Sequence, residues 1–385
     1  MSNQDHLTEE LGRELHRRVD ALYDAPLTLD DVRGRARGIR RRRRVAATAS
    51  IAAALALAVD VPTLLLGGIG SNRSDAPQPA PQPTPARGAS VLHDGEVTLP
   101  GGATVSVDVA NADVSQFGVL TDGRIVVANQ AEQSVQVLAP DGSLQATYPV
   151  DLLLVTMSST DELAAWIEGS RVQVLESGST EPVALAHMPR SAGTIPMVDA
   201  VTGDHCADGG CRAILSDGTT TTAEVSVDGL RELATSEPLR VTDVSPDGDT
   251  WAVAFPPPEG EQYPCVGLYD PADDKVTARS CTAGGLEFSP DGRHLLSGRY
   301  ENNMAGEVMV LDRALEVVRK VNPAPQVVSR AAWGDTTHVL AVLAGVDDNQ
   351  WTLVRYPLDG GEPETVAGPV RGGNPEMMSE YLPSE

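Results

Sequence analysis

"SPDGDTWAVAF" (residues 245–255) and "SPDGRHLLSGR" (289–299) stand 44 residues apart and share one plan. A serine, a proline, an aspartate and a glycine precede a short apolar run. Proline presets φ for the first central turn position, aspartate hydrogen-bonds the backbone just ahead, and glycine accepts a positive φ. The run that follows is too short for a helix and is bounded by turns, so it reads as a strand.

The same plan recurs with looser spelling. "TDGRIVVAN", "STDELAAWIEG", "CADGGCRAILS" and "WGDTTHVLAVL" centre on Asp122, Asp161, Asp208 and Asp335. With Asp247 and Asp291 they give six turn centres, at intervals of 39, 47, 39, 44 and 44 residues. A short run precedes each turn, and two more follow the strand, such as "SVQVLA" then "SLQATY", or "EVMVLD" then "LEVVRK". Four short strands per unit of about 40–45 residues is the signature of β-propeller blades. Each sheet needs both faces covered, and stacking in a closed ring supplies the cover.

The "SPDGR" and "SPDGD" turns resemble the repeat of TolB-like propellers and, more loosely, of WD-repeat propellers. The resemblance covers residues 112–368. It implies an all-β fold and leaves function open, because propellers host many activities. No Gly-His…Trp-Asp signature occurs, and only two turns carry the full Ser-Pro-Asp-Gly. Six complete blades are expected. Residues 97–107, "VTLPGGATVSV", add one or two strands, either the outer strand of the last blade or the start of an incomplete seventh. Seven blades are the alternative.

Outward from the repeat, the chain changes character. Residues 371–385 read as a flexible acidic tail, and 91–370 as the propeller domain. The stretch 70–90 contains "APQPAPQPTPA", a polyproline-type stalk. Before it, residues 45–69 hold 20 apolar or glycine residues in 25. As a helix they span roughly 37 Å, enough for a bilayer core of about 30 Å. Asp60 opposes insertion, and the leucines at 55, 57 and 64–66 favour it. A single transmembrane helix is the leading reading. A cleaved signal ending near Ala56-Leu57-Ala58 and a buried soluble helix are the alternatives.

Residues 1–44 hold 11 Arg and 8 Asp or Glu. Arg40, Arg41, Arg42, Arg43 and Arg44 abut the apolar run and are topogenic: the positive-inside rule places the N-terminus in the cytoplasm and the propeller outside. Leu7, Leu11, Leu15, Val19 and Leu22 fall at spacings of 4, 4, 4 and 3 and form one helical stripe. That stripe is a candidate docking face for a cytoplasmic protein. A short cytoplasmic helical segment, one span and an outside domain resemble bacterial membrane-bound anti-sigma regulators, although no His/Cys cluster of the zinc type occurs in residues 1–44.

The net charge is −25, and residues 45–385 carry 18 basic against 46 acidic side chains. Such a domain repels phosphate backbones, which argues against nucleic acid as its partner. The four cysteines, Cys206, Cys211, Cys265 and Cys281, lack zinc-site spacing. Strand pairing accounts for them better. A two-residue Asp208-Gly209 turn places Cys206 opposite Cys211. A turn centred on Asp273 places Asp270 opposite Val276, and the same register brings Cys265 opposite Cys281. Two disulfides imply an oxidising compartment.

No G-x-S-x-G, H-E-x-x-H or phosphate-cradling G-x-x-x-x-G-K occurs, so no catalytic residue and no cofactor is assigned. The turn aspartates read as local backbone acceptors, His294 and His338 as strand-edge residues, and Trp166, Trp251, Trp333 and Trp351 as packing between blades. The expected role is a non-enzymatic binding, scaffold or sensor module at the cell envelope. The alternative is an extracytoplasmic hydrolase or lactonase, with carboxylates converging on a metal in the propeller channel.

Overall fold

The computed structural model describes residues 88–384 apart from 189–195, 219, 260–262, 302–303, 324–325, 346–348 and 373–380. The helical stripe at residues 7–22, the arginines at 40–44 and the apolar run at 45–69 lie outside the described residues. Among the described residues no helix is long and apolar enough to cross a membrane.

Seven four-stranded antiparallel units make the fold. Six are continuous in sequence. Blade 2 runs from Val114–Val119 through Ile125–Asn129 and Ser134–Leu138 to Leu144–Pro149. Blades 3 to 7 begin with inner strands Thr156–Met157, Met197–Thr202, Arg240–Val244, Leu286–Phe288 and Val327–Asp335. All six aspartate-centred turns join an inner strand to the second strand of its blade, as the repeat requires. Residues 97–107 belong to a further blade, which corrects the expected count of six to seven. Blade 1 takes Val91–His93, Glu96–Thr98 and Thr104–Ser106 from the front of the propeller. Its inner strand, Leu382–Pro383, comes from the other end and pairs antiparallel with Val91–Leu92. Residues 381–384 are therefore buried, where a flexible tail was expected.

The turns use the chemistry read from their letters. Asp122, Asp247, Asp291 and Asp335 each accept the backbone N–H two residues on. The serines add a second bond. Ser158, Ser245 and Ser289 Oγ accept the N–H of Leu163, Thr250 and His294 at 3.0 Å. That bond secures the turn to the start of the second strand. Gly248 and Gly292 sit at φ +79° and +68°, where a side chain is strained.

Strand alternation sends one set of side chains to each neighbouring blade. In blade 3, Leu163, Ala165 and Ile167 pack with Val198, Val201 and Ala213 of blade 4. The intervening Ala164 and Trp166 pack with Val126 and Val135 of blade 2. Seven separate apolar clusters result, one at each blade-to-blade junction, including blade 7 to blade 1 through Trp351, Leu340, Val91 and Tyr381. The four tryptophans lie in these clusters. Blade 6 carries the longest hairpin, His294–Glu301 with Met304–Asp312. Its far end reaches the inner strand of blade 7 through the pair Ala305↔Val328, which joins the two blades into one eight-stranded sheet.

Candidate functional site

The inner strands enclose an axial channel of about 720 Å³. All seven blades contribute to its wall, with Ser384, Gln116, Thr156, Asp199, Arg240, Glu287 and Arg330 among the lining residues. Four inner strands share an irregularity near their start, and the blade 7 strand has a second one between Trp333 and Asp335. Their pairing with the second strand skips Ser115, Asp199, Thr242 and Ser329 in blades 2, 4, 5 and 7. Each skipped residue is a β-bulge, which re-aims a side chain that regular alternation sends into a blade junction.

Three of these side chains, Ser115, Asp199 and Thr242, with neighbouring residues, tie adjacent blades together around the channel. Ser115 Oγ donates to the Leu153 carbonyl at 2.9 Å, and Val155 N donates to Gln116 Oε1 at 3.1 Å. Thr156 Oγ1 donates to the Val198 carbonyl at 2.7 Å. Arg240 Nη2 and Nε donate to Asp199 Oδ1 at 2.9 and 3.1 Å. Thr242 Oγ1 donates to the Leu286 carbonyl at 3.0 Å, and Phe288 N donates to Asp243 Oδ2 at 2.7 Å. Trp333 Nε1 reaches the Glu287 carbonyl, and Ala89 N reaches the Trp333 carbonyl. The circuit closes through Ser384 N to the Ser90 carbonyl, Ser90 N to Ser384 Oγ, and Asn111 Nδ2 to the Leu92 carbonyl.

Two wall carboxyls have altered acidity. Burial pushes Asp243 up to about 7, against the opposing pull of the Phe288 and Val244 N–H groups. Burial also raises Asp199, with the Ser216 hydroxyl and the Arg240 guanidinium holding it back. The turn carboxyls away from the channel behave oppositely. The Ser245 hydroxyl, above all, draws Asp247 below the usual range. For Asp335, burial is outweighed by bonds from Thr337 and His338. His338 Nδ1 lies 2.9 Å from Asp335 Oδ2, so its place is the turn, and His294 opens the second strand of blade 6. Among the described residues no three His, Cys, Asp or Glu side chains group as metal ligands.

Both expected cystine pairs form: Cys206–Cys211 and Cys265–Cys281. The second follows strand register with one correction. Asp270 faces Lys275 and Tyr269 faces Val276, one residue off the expected pairing. A bulge then skips Thr277, and from Leu268↔Ala278 to Val266↔Ser280 the register is the one that brings Cys265 to Cys281. The first pair forms in a different local geometry. Cys206–Asp208 is a 3-10 turn, Gly209 is left-handed, and the second strand starts only at Arg212. Glu176 of blade 3 accepts the N–H groups of His205 and Cys206 and fixes that loop.

The bulge positions are what the sequence reading missed. Their residue types vary, and no common letter marks them. The signal available was a polar residue directly after a valine in the run before the turn, as in Val114-Ser115, Val198-Asp199, Val241-Thr242 and Val328-Ser329.

No family model matches this chain, and no curated protein matches it. Solved structures with a similar architecture include a eukaryotic initiation factor, 12% identical over 79% of this chain and 91% of the other, with a TM-score of 0.44. A putative TolB from Agrobacterium tumefaciens is 15% identical over 63% and 91%, with a TM-score of 0.42. TolB from Acinetobacter baumannii is 12% identical over 78% and 66%, with a TM-score of 0.43.

Proposed function

We propose that this chain is a non-enzymatic, membrane-anchored propeller that acts as a binding, scaffold or sensor module on the outer side of the cell envelope. The observation that carries the reading is the pair of disulfides, which leaves no free cysteine among the described residues. Stable cystines belong to oxidising compartments. The arginines at 40–44 and the apolar run at 45–69 supply, in this reading, a single-pass anchor with the N-terminus in the cytoplasm. The stripe at Leu7, Leu11, Leu15, Val19 and Leu22 then offers a face to a cytoplasmic protein such as a sigma factor. The ring offers a rigid platform whose partner is a protein or envelope ligand.

Protease shaving of intact cells, followed by intact mass without reductant, tests this. The expected product starts within residues 70–90 and is four hydrogens lighter than its reduced form. A chain untouched by protease, with four free thiols, overturns both the location and the sensor role.

A further inference from the structure

The channel wall holds charges of both signs. Asp199 is bound by Arg240. Asp243 takes two backbone N–H groups and titrates near neutrality. Asp161 and Glu287 are engaged as well. Arg240 is committed to Asp199. Arg330 differs: it lines the channel beside the blade 7 bulge, is exposed, and among the described residues has no ion-pair partner. In a protein of net charge −25, a guanidinium left without a carboxylate inside a concave wall is an anion acceptor that is still open.

The rest of the wall narrows the class of ligand. Leu154, Met197 and Ala331, all partly exposed, line the same space and give it apolar surface. A volume of about 720 Å³ falls in the range of pockets for small organic molecules. The acidic surface opposes the approach of any anion at long range, so charge alone does not recruit one. Recognition has to be short-range, with an apolar body and a planar anion acting together.

We propose that the axial channel binds a small monocarboxylate, its carboxylate on the Arg330 guanidinium and its apolar body against Leu154, Met197 and Ala331. The guanidinium fork matches a carboxylate through two parallel hydrogen bonds, which an ammonium does not reproduce. This inference deepens the binding-module reading and rests on it.

Titration calorimetry of the full chain in nanodiscs with 3-phenylpropanoate tests it, with 3-phenylpropanol and 3-phenylpropylamine as controls. Saturable binding of the acid is expected, with a rise in melting temperature and neither control competing. Arg330→Ala should bind about ten-fold more weakly or worse, the loss of one charge-assisted pair. Arg330→Lys should recover only part. Arg330 makes no bond in the ring circuit, so the variants fold and melt like the parent. No saturable heat at low-millimolar acid, equal binding by Arg330→Ala, or preference for the amine each overturns the inference. The shaving experiment reads none of these, so a failure here leaves location and anchoring standing.

Discussion

Blade 1 and blade 5 solve one packing problem with different material. Blade 5 is continuous, with strands of five or six residues and a disulfide from Cys265 to Cys281. Blade 1 is assembled from both ends of the propeller, with strands of three, three, three and two residues. Both bury apolar side chains on each face. Blade 5 holds its strands together through chain connectivity, whereas blade 1 depends on Tyr381, Leu382 and the Ser90–Ser384 bonds. Closure is thus concentrated in few residues, and the remaining junctions share their load along longer strands.

The hardest test of that contrast is truncation after Gly372. It removes Tyr381 and Leu382 from the junctions on the two sides of blade 1. A loss of at least about 5 kcal/mol is expected from two large buried side chains and the cavity they leave. A urea midpoint equal to the parent's breaks the closure account.

On the continuous side, Asp243 makes the blade 5–6 junction sensitive to pH. Its folded pKa of about 7 lies above the unfolded value near 3.8. The folded state then binds the extra proton between those values, so the contribution is complete below pH 4 and lost as pH rises through 7. Each unit is worth about 1.4 kcal/mol, which sets an upper bound of about 4 kcal/mol. Asp243→Asn should flatten urea midpoints between pH 4 and pH 8. A parent that gains stability across that window contradicts the assignment.

Replacing Cys265 and Cys281 by serine should cost about 3 kcal/mol, and Cys206 with Cys211 about 2 kcal/mol, because the longer loop restrains the unfolded chain more. Denaturation with and without reductant measures both. The reverse order implies that Glu176, and not loop length, sets the value of the first cystine. The smallest effect belongs to Ser384→Ala, about 1 kcal/mol for one buried hydrogen bond. If that loss equals the truncation, the serine pair and not the apolar contact closes the ring.

Six blades were legible because each contains its own inner hairpin, whose turn must satisfy backbone groups in a few residues. Aspartate, serine and glycine at fixed offsets record that demand. The seventh was legible only as an alternative, for a topological reason. Its inner strand and second strand are nearly 300 residues apart, so no turn joins them and no turn letters mark them. Asp94-Gly95 is a turn in blade 1, but it links the second and third strands, one step out of phase with the repeat. The cystine between Cys265 and Cys281 was legible because antiparallel register is arithmetic, and the bulge at Thr277 made up the one-residue error in the turn. The channel was not legible. Ser115, Asp199, Thr242 and Ser329 share a place in the ring but not one side chain, and a polar residue after a valine is too common a pair to mark them without the ladder of paired strands.

The entry of the chain into blade 1 bears on how the ring carries force. Gly88 lies so close to the Gly334 backbone that a Cβ there would meet its carbonyl oxygen at 1.9 Å. A few residues on, Val91–His93 runs between Leu382–Pro383 on one side and Glu96–Thr98 on the other. A pull on residue 88 therefore acts along a strand gripped on both edges, and it strains both ladders together instead of parting one bond after another. A load applied at residue 88 would thus enter the ring at its hub and not at its rim.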